Sequence, residues 1–142
     1  MNADLKHTTV TDTILCCFYT VYNVLGYGFQ EKVYENALLH EVRKRGLSAS
    51  AQSPISVYYD EKLVGEYFSD LKVEDLVIVE IKAVRCLLPE HEAQLLNYLK
   101  ATPIEVGLLL NFGPRPEFRR KAFDNDRKTP QPIDISQSDF NG

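Results

Sequence analysis

The stretch "GEYFSDLKVEDLVIVEIKAV", Gly65 to Val84, decides the fold. From Leu76 onward its apolar residues fall on both sets of alternate positions, as in a strand covered on both faces, yet it holds Glu80 and Lys82 two positions apart. Side chains alternate along a strand, so this charged couple shares one face with Leu76 and Ile78. On an exposed face a structural ion pair would account for it, contributing roughly 0–1 kcal/mol. On an otherwise apolar face an unpaired carboxylate needs a cation or a polar cluster beside it. The strand alone leaves both readings open.

Asp70 lies ten residues before Glu80 on the preceding strand. Two carboxylates from neighbouring strands can converge on one hard divalent cation, Mg²⁺ or Mn²⁺. The turn sets a condition. With a two-residue turn at Glu74 and Asp75, Asp70 faces Val79 and projects away from Glu80. A three-residue turn of Glu74, Asp75 and Leu76 pairs Val73 with Val77 and sets Asp70 opposite Glu80, so the functional reading requires an odd turn or a bulge.

Outward from this hairpin, helical spacing predicts a first helix over Thr8 to Leu25, with threonines or Asp12 as its cap and Gly26 as its stop. A second follows the glycine-broken "GYGFQ", with Val33, Ala37, Leu38 and Val42 on its apolar side and "RKRG" at its end. Strands are expected at Ile55–Tyr59, Glu66–Val73 and Leu76–Val84, a third helix in "LLPEHEAQLLNYLKATP", and a fully buried strand in "IEVGLLLNF" that returns parallel to the third. The expected fold class is α/β: a mixed four-stranded sheet flanked by helices, in the order α-α-β-β-β-α-β. Residues 1–123 are read as one domain and residues 124–142 as an irregular or flexible tail.

Two further elements carry candidate polar groups. His91, Gln94 and Tyr98 form a stripe on the third helix, open to reading as a solvated face. Glu31 stands in the first turn of the second helix, where the helix dipole favours a carboxylate whether or not it has a further role.

The 142 residues are 44% hydrophobic and 25% charged, the balance of one soluble globular domain. The start, "MNADLKHTTV", lacks the apolar core of a secretory signal and no run is long enough to span a membrane, so a cytoplasmic location is expected. Three cysteines without metal spacing are read as core groups. The net charge of −4 disfavours broad electrostatic binding to nucleic acid, but it is uneven: Gly113–Lys128 has six basic residues against three acids, which leaves −7 for the rest. Arg115, Arg119, Arg120 and Lys121 could grip a nucleic-acid backbone; a solvated tail or a homo-oligomer contact fits them equally.

"GFQEKVY", Gly28 to Tyr34, fits a G-x-x-E-x-x-Y signature, and the chain continues through "SDLKVEDLVIVEIKAV", "EAQLLNYLK" and "GLLLNFG". Over about residues 9 to 123 it resembles the GxxExxY family, which is similar to the PD-(D/E)xK nuclease superfamily and its restriction-endonuclease-like core. Asp70, Glu80 and Lys82 match that superfamily's D and E-x-K; Gln94 and Tyr98 match the Q-x-x-x-Y of its RecB-like branch. Ser69 replaces the proline of the name, which supplies shape and no ligand. The resemblance implies a divalent-metal-dependent nuclease that hydrolyses DNA phosphodiesters. Asp70, Glu80 and the Ile81 carbonyl would hold Mg²⁺ or Mn²⁺, with Glu31 contributing. Lys82 would orient water or stabilise phosphate charge, and Gln94, Tyr98 and His91 would position the substrate. A catalytically silent module of the same fold, binding nucleic acid or protein, is the alternative.

Overall fold

The turn after Val73 has three residues. In the computed structural model, which describes residues 6–128, Glu74 and Asp75 both take left-handed backbone angles, φ 56° and 54°, and Val73 pairs with Val77 across Glu74, Asp75 and Leu76. The turn is anchored sideways: Glu74 N–H donates to the Ser48 carbonyl at 2.7 Å, and the Glu74 carboxylate accepts from Ser48 N–H at 2.5 Å. These bonds offset the cost of two non-glycine residues in a sparsely allowed region. The register that follows sets Leu71 against Val79 and brings Asp70 and Glu80 to facing positions.

Around this hairpin the elements are α1 (Thr8–Leu25), α2 (Glu31–Lys44), β1 (Ala49–Tyr59), β2 (Lys62–Val73), β3 (Val77–Lys82), α3 (Pro89–Lys100), β4 (Val106–Phe112) and β5 (Pro116–Ala122), then a single 3₁₀ turn, Asn125–Arg127. The sheet order is β1-β2-β3-β4-β5, antiparallel except for the parallel β3–β4 pair. Helices α1 and α2 cover one face, over a core that includes Val77, Val79, Ile81, Leu108 and Phe112. Helix α3 covers the other, where Leu95, Tyr98 and Leu99 pack on Ile55, Ile78 and Leu109. Among the described residues, no helix is long and apolar enough to cross a membrane.

Among the described residues the sheet has five strands, not the four expected. An edge strand needs no continuous apolar run and tolerates proline at its first residue, so the Pro- and Arg-rich segment after Gly113 pairs with β4 despite its composition. Strands β1 and β2 are also longer than expected, joined by the left-handed pair Asp60 and Glu61. Helix α1 is preceded by His7 without a side-chain cap, in place of the expected threonine or Asp12. The buried stripe of α2 runs through Tyr34, Glu35, Leu38 and Val42, with Val33 exposed. Of the cysteines only Cys17 is in the core; Cys16 and Cys86 are exposed. Residues 129–142 of the expected tail lie outside the described residues.

The exit of β3 is fixed by β4. The buried Asn111 side chain accepts from Val84 N–H and donates to the Val84 carbonyl, both at 2.9 Å, as a neighbouring strand would. Gly113 sits so close that an added Cβ would fall 2.1 Å from the Val84 carbonyl oxygen. Backbone cannot yield as a side chain end can, so Gly113→Ala is expected to cost roughly 2–3 kcal/mol in denaturant unfolding.

Candidate active site

Beyond the Leu71–Val79 pair the β2–β3 ladder stops, and each strand's carboxylate closes the gap. Asp70 N–H donates to Glu80 Oε2 at 2.8 Å, while Ile81 N–H donates to Asp70 Oδ2 at 2.7 Å. Backbone donors that would otherwise bond across the sheet are thus satisfied by the two acids, which cannot drift apart without orphaning them. Across from Asp70 on β1, Gln52 is left-handed at φ 53°. Ala51 packs on the α1/α2 side and Ile55 on the α3 side, so the in-out alternation breaks at this residue. Such a local kink re-aims side chains beside it.

The electrostatics are those of buried acids set close together. Burial holds the Asp70 carboxyl above its ordinary range, with the charges of Glu35 and Glu31 adding to the effect. Glu80, 7% exposed, is pushed up to about 8, first by burial and then by the charge of Asp70. Lys82 pulls both the other way, but among the described residues it forms no ion pair with either. The charged couple of β3 is therefore no structural salt bridge.

Helix α2 brings its own acids to this opening. Glu31 Oε2 accepts from Ala83 N–H at 3.3 Å, which ties the helix start to the end of β3. Gly28, φ 115°, lets the preceding loop turn, and buried Tyr34 locks it: its hydroxyl donates to the Gly26 carbonyl at 2.8 Å and accepts from Phe29 N–H at 3.2 Å. The Tyr34 ring stacks on Phe112 at 4.3 Å. Tyr34→Phe keeps that stacking and loses the bridge, so a stability loss of about 1–2 kcal/mol in thermal or urea unfolding is expected.

Glu35 is the residue that sequence reasoning missed. It is 3% exposed, with Lys32 Nζ at 2.6 Å and Gln52 Nε2 donating at 2.6 Å, and it lines a cleft of about 210 Å³ with Glu31, Lys32, Gln52, Asp70 and Ile81. A signal was present: Glu35 stands one turn after Glu31 on the stripe that carries Tyr34, Leu38 and Val42, a charge in core register like that of Glu80 in its strand. On α3, Gln94 Nε2 donates to Tyr98 OH at 2.6 Å, and the buried Tyr98 phenol is raised by burial and then by the charge of Glu80. His91 Nδ1 accepts from Leu88 N–H at 3.0 Å, the role of a helix cap.

The family model of the PD-(D/E)XK nuclease superfamily matches residues 8–121. The chain belongs to this superfamily. The crystal structure of SSO0001 is similar in fold, with a TM-score of 0.51 and 20% identity over 75% of this chain and 52% of its own, so the present chain spans about half the length of that protein. No curated protein matches it.

Members of the PD-(D/E)XK superfamily generally use divalent metals. Among the described residues no three His, Cys, Asp or Glu side chains gather closely enough to enclose an ion. Magnesium, however, is typically held by one or two carboxylates and keeps several waters. The facing pair Asp70 and Glu80, all-oxygen and both raised first by burial, fits that requirement.

The basic segment is arranged differently from expectation. Because it forms strand β5, its side chains alternate: Arg119 and Lys121 reach Glu92 on α3, at 3.7 and 2.6 Å, while Arg120 donates to the Lys6 carbonyl at 2.5 Å. Arg115 is exposed just before the strand. The four do not form one patch.

Proposed function

We propose that this PD-(D/E)XK chain is a divalent-metal-dependent nuclease that hydrolyses phosphodiester bonds of DNA in the cytoplasm. The observation that carries the reading is the crossed bonding where the β2–β3 ladder ends, Asp70 N–H to Glu80 and Ile81 N–H to Asp70, with Lys82 two residues beyond Glu80. Asp70, Glu80 and the Ile81 carbonyl would hold Mg²⁺ or Mn²⁺, and Glu31 would contribute from α2. Such an ion activates water and polarises the phosphoryl group. Lys82, a compact ammonium left without an internal partner among the described residues, stabilises the charge that grows on the phosphate. Gln94 and Tyr98, bonded to each other, steady the Glu80 side of the site.

The finer assignment to the GxxExxY family has a physical rationale: Gly28 turns the loop, Glu31 reaches β3 and Tyr34 holds the two in place. The Gln94–Tyr98 bond likewise suits the RecB-like branch. A catalytically silent binding module remains the second reading, favoured by the internal engagement of Arg119, Arg120 and Lys121.

The test is cleavage of single- and double-stranded DNA with Mg²⁺ or Mn²⁺ against EDTA. Lys82→Ala is expected to lower the rate on the order of a hundredfold or more, as for loss of one transition-state donor. Metal-independent cleavage, or full activity in Lys82→Ala, overturns the assignment.

A further inference from the structure

A chain of net charge −4 whose β5 cations are bonded internally is poorly placed to hold DNA by its phosphates. The edge of the candidate site offers an aromatic face instead. Tyr67 lies three residues before Asp70 on β2 and is 47% exposed. One edge of its ring lies beside Gly65, where an added Cβ would meet Cε2 at 3.3 Å. The ring centroid is 5.8 Å from that of Tyr98, and its cross-strand partner, Ile55, is buried under α3. Tyr98 in turn bonds Gln94 and packs with Ile78, two residues before Glu80 on the same face of β3, which sets the aromatic pair on the sheet face that carries Glu80. A tyrosine flanked by Tyr98 and the Gly65 backbone, with about half of its surface in water, has the form of a stacking platform, which works on any base with an open π face. In duplex DNA those faces are covered by neighbouring bases; in a single strand they are available.

We propose that Tyr67, backed by Tyr98, stacks an unpaired base of single-stranded DNA and so directs the site to single strands in preference to duplex. This rests on the nuclease reading above and names its substrate class.

The experiment compares wild type, Tyr67→Ala and Tyr67→Phe on a fluorescent oligothymidylate and on a blunt duplex, by cleavage with Mn²⁺ and, separately, by binding at low salt in EDTA. Tyr67→Ala is expected to raise the single-strand KM roughly tenfold or more, with kcat and duplex cleavage little changed, while Tyr67→Phe, which keeps the ring, stays near wild type. An unchanged single-strand KM, or equal loss on both substrates, overturns the proposal. If wild type cleaves neither, that outcome counts against the nuclease reading alone, and the binding arm still decides: roughly tenfold weaker single-strand binding by Tyr67→Ala supports the platform, and equal binding refutes it. Sedimentation showing that Tyr67→Ala splits a dimer would assign the ring to a second copy of the chain and overturn the proposal.

Discussion

Asp70→Asn is expected to lower metal-dependent cleavage on the order of a thousandfold while leaving the chain folded. Asp70 has two functions that this substitution separates. Its Oδ2 accepts from Ile81 N–H at 2.7 Å, and an asparagine carbonyl of the same length can take that bond. Its charge, by contrast, has no replacement, and the charge is what attracts a divalent ion. Removing it also relieves Glu80, which the charge of Asp70 helps to raise, so the metal-free variant should melt no lower than wild type at pH 8. Single-turnover rates with Mg²⁺, set beside melts in EDTA, check both halves. Cleavage within about tenfold of wild type would remove Asp70 from the site, while a collapsed melting temperature would show that the carboxylate is structural.

The meeting of Asp70 and Glu80 was legible because strand parity is arithmetic: once the turn is odd, the two residues face each other. What the chain did not disclose was the turn itself. Glu74 and Asp75 are left-handed without a glycine, held by bonds to Ser48, which belongs to another part of the sequence. The same limit hid Gln52, whose left-handed backbone inside a strand follows from its neighbours and from no propensity of glutamine. Strand β5 escaped because an edge strand has no apolar run to announce it. With it went the geometry of the basic residues, whose charge could be counted but whose division between two faces could not. Glu35 differs from these. The criterion that singled out Glu80, a charge in a core position, applies to it equally once Tyr34 is recognised as buried.

Glu80→Gln is expected to remove a pH dependence of stability that the wild type shows in the absence of metal. The folded chain raises Glu80 from the ordinary 4.5 of a glutamate to about 8, so it holds this proton more tightly than the unfolded chain does. Stability from this group is therefore whole below the unfolded value, falls as pH rises, and is gone above about 8. At about 1.4 kcal/mol per unit, the loss across the window is a few kcal/mol. Glutamine cannot titrate, yet its carbonyl still accepts from Asp70 N–H, so the variant should match wild type near pH 5 and exceed it by several degrees in melting temperature near pH 8.5. Comparing the two chains cancels other titrating groups such as Lys128, whose burial lowers its pKa to about 8. An ion that binds the ionised pair must displace the proton, so Mn²⁺ should restore wild-type stability at pH 8.5, do little at pH 5, and act weakly on the variant at either. Parallel pH profiles for the two chains would mean that Glu80 is ionised without strain. The carboxylate would then be hydrated well enough to keep its charge beside Asp70 without a bound cation.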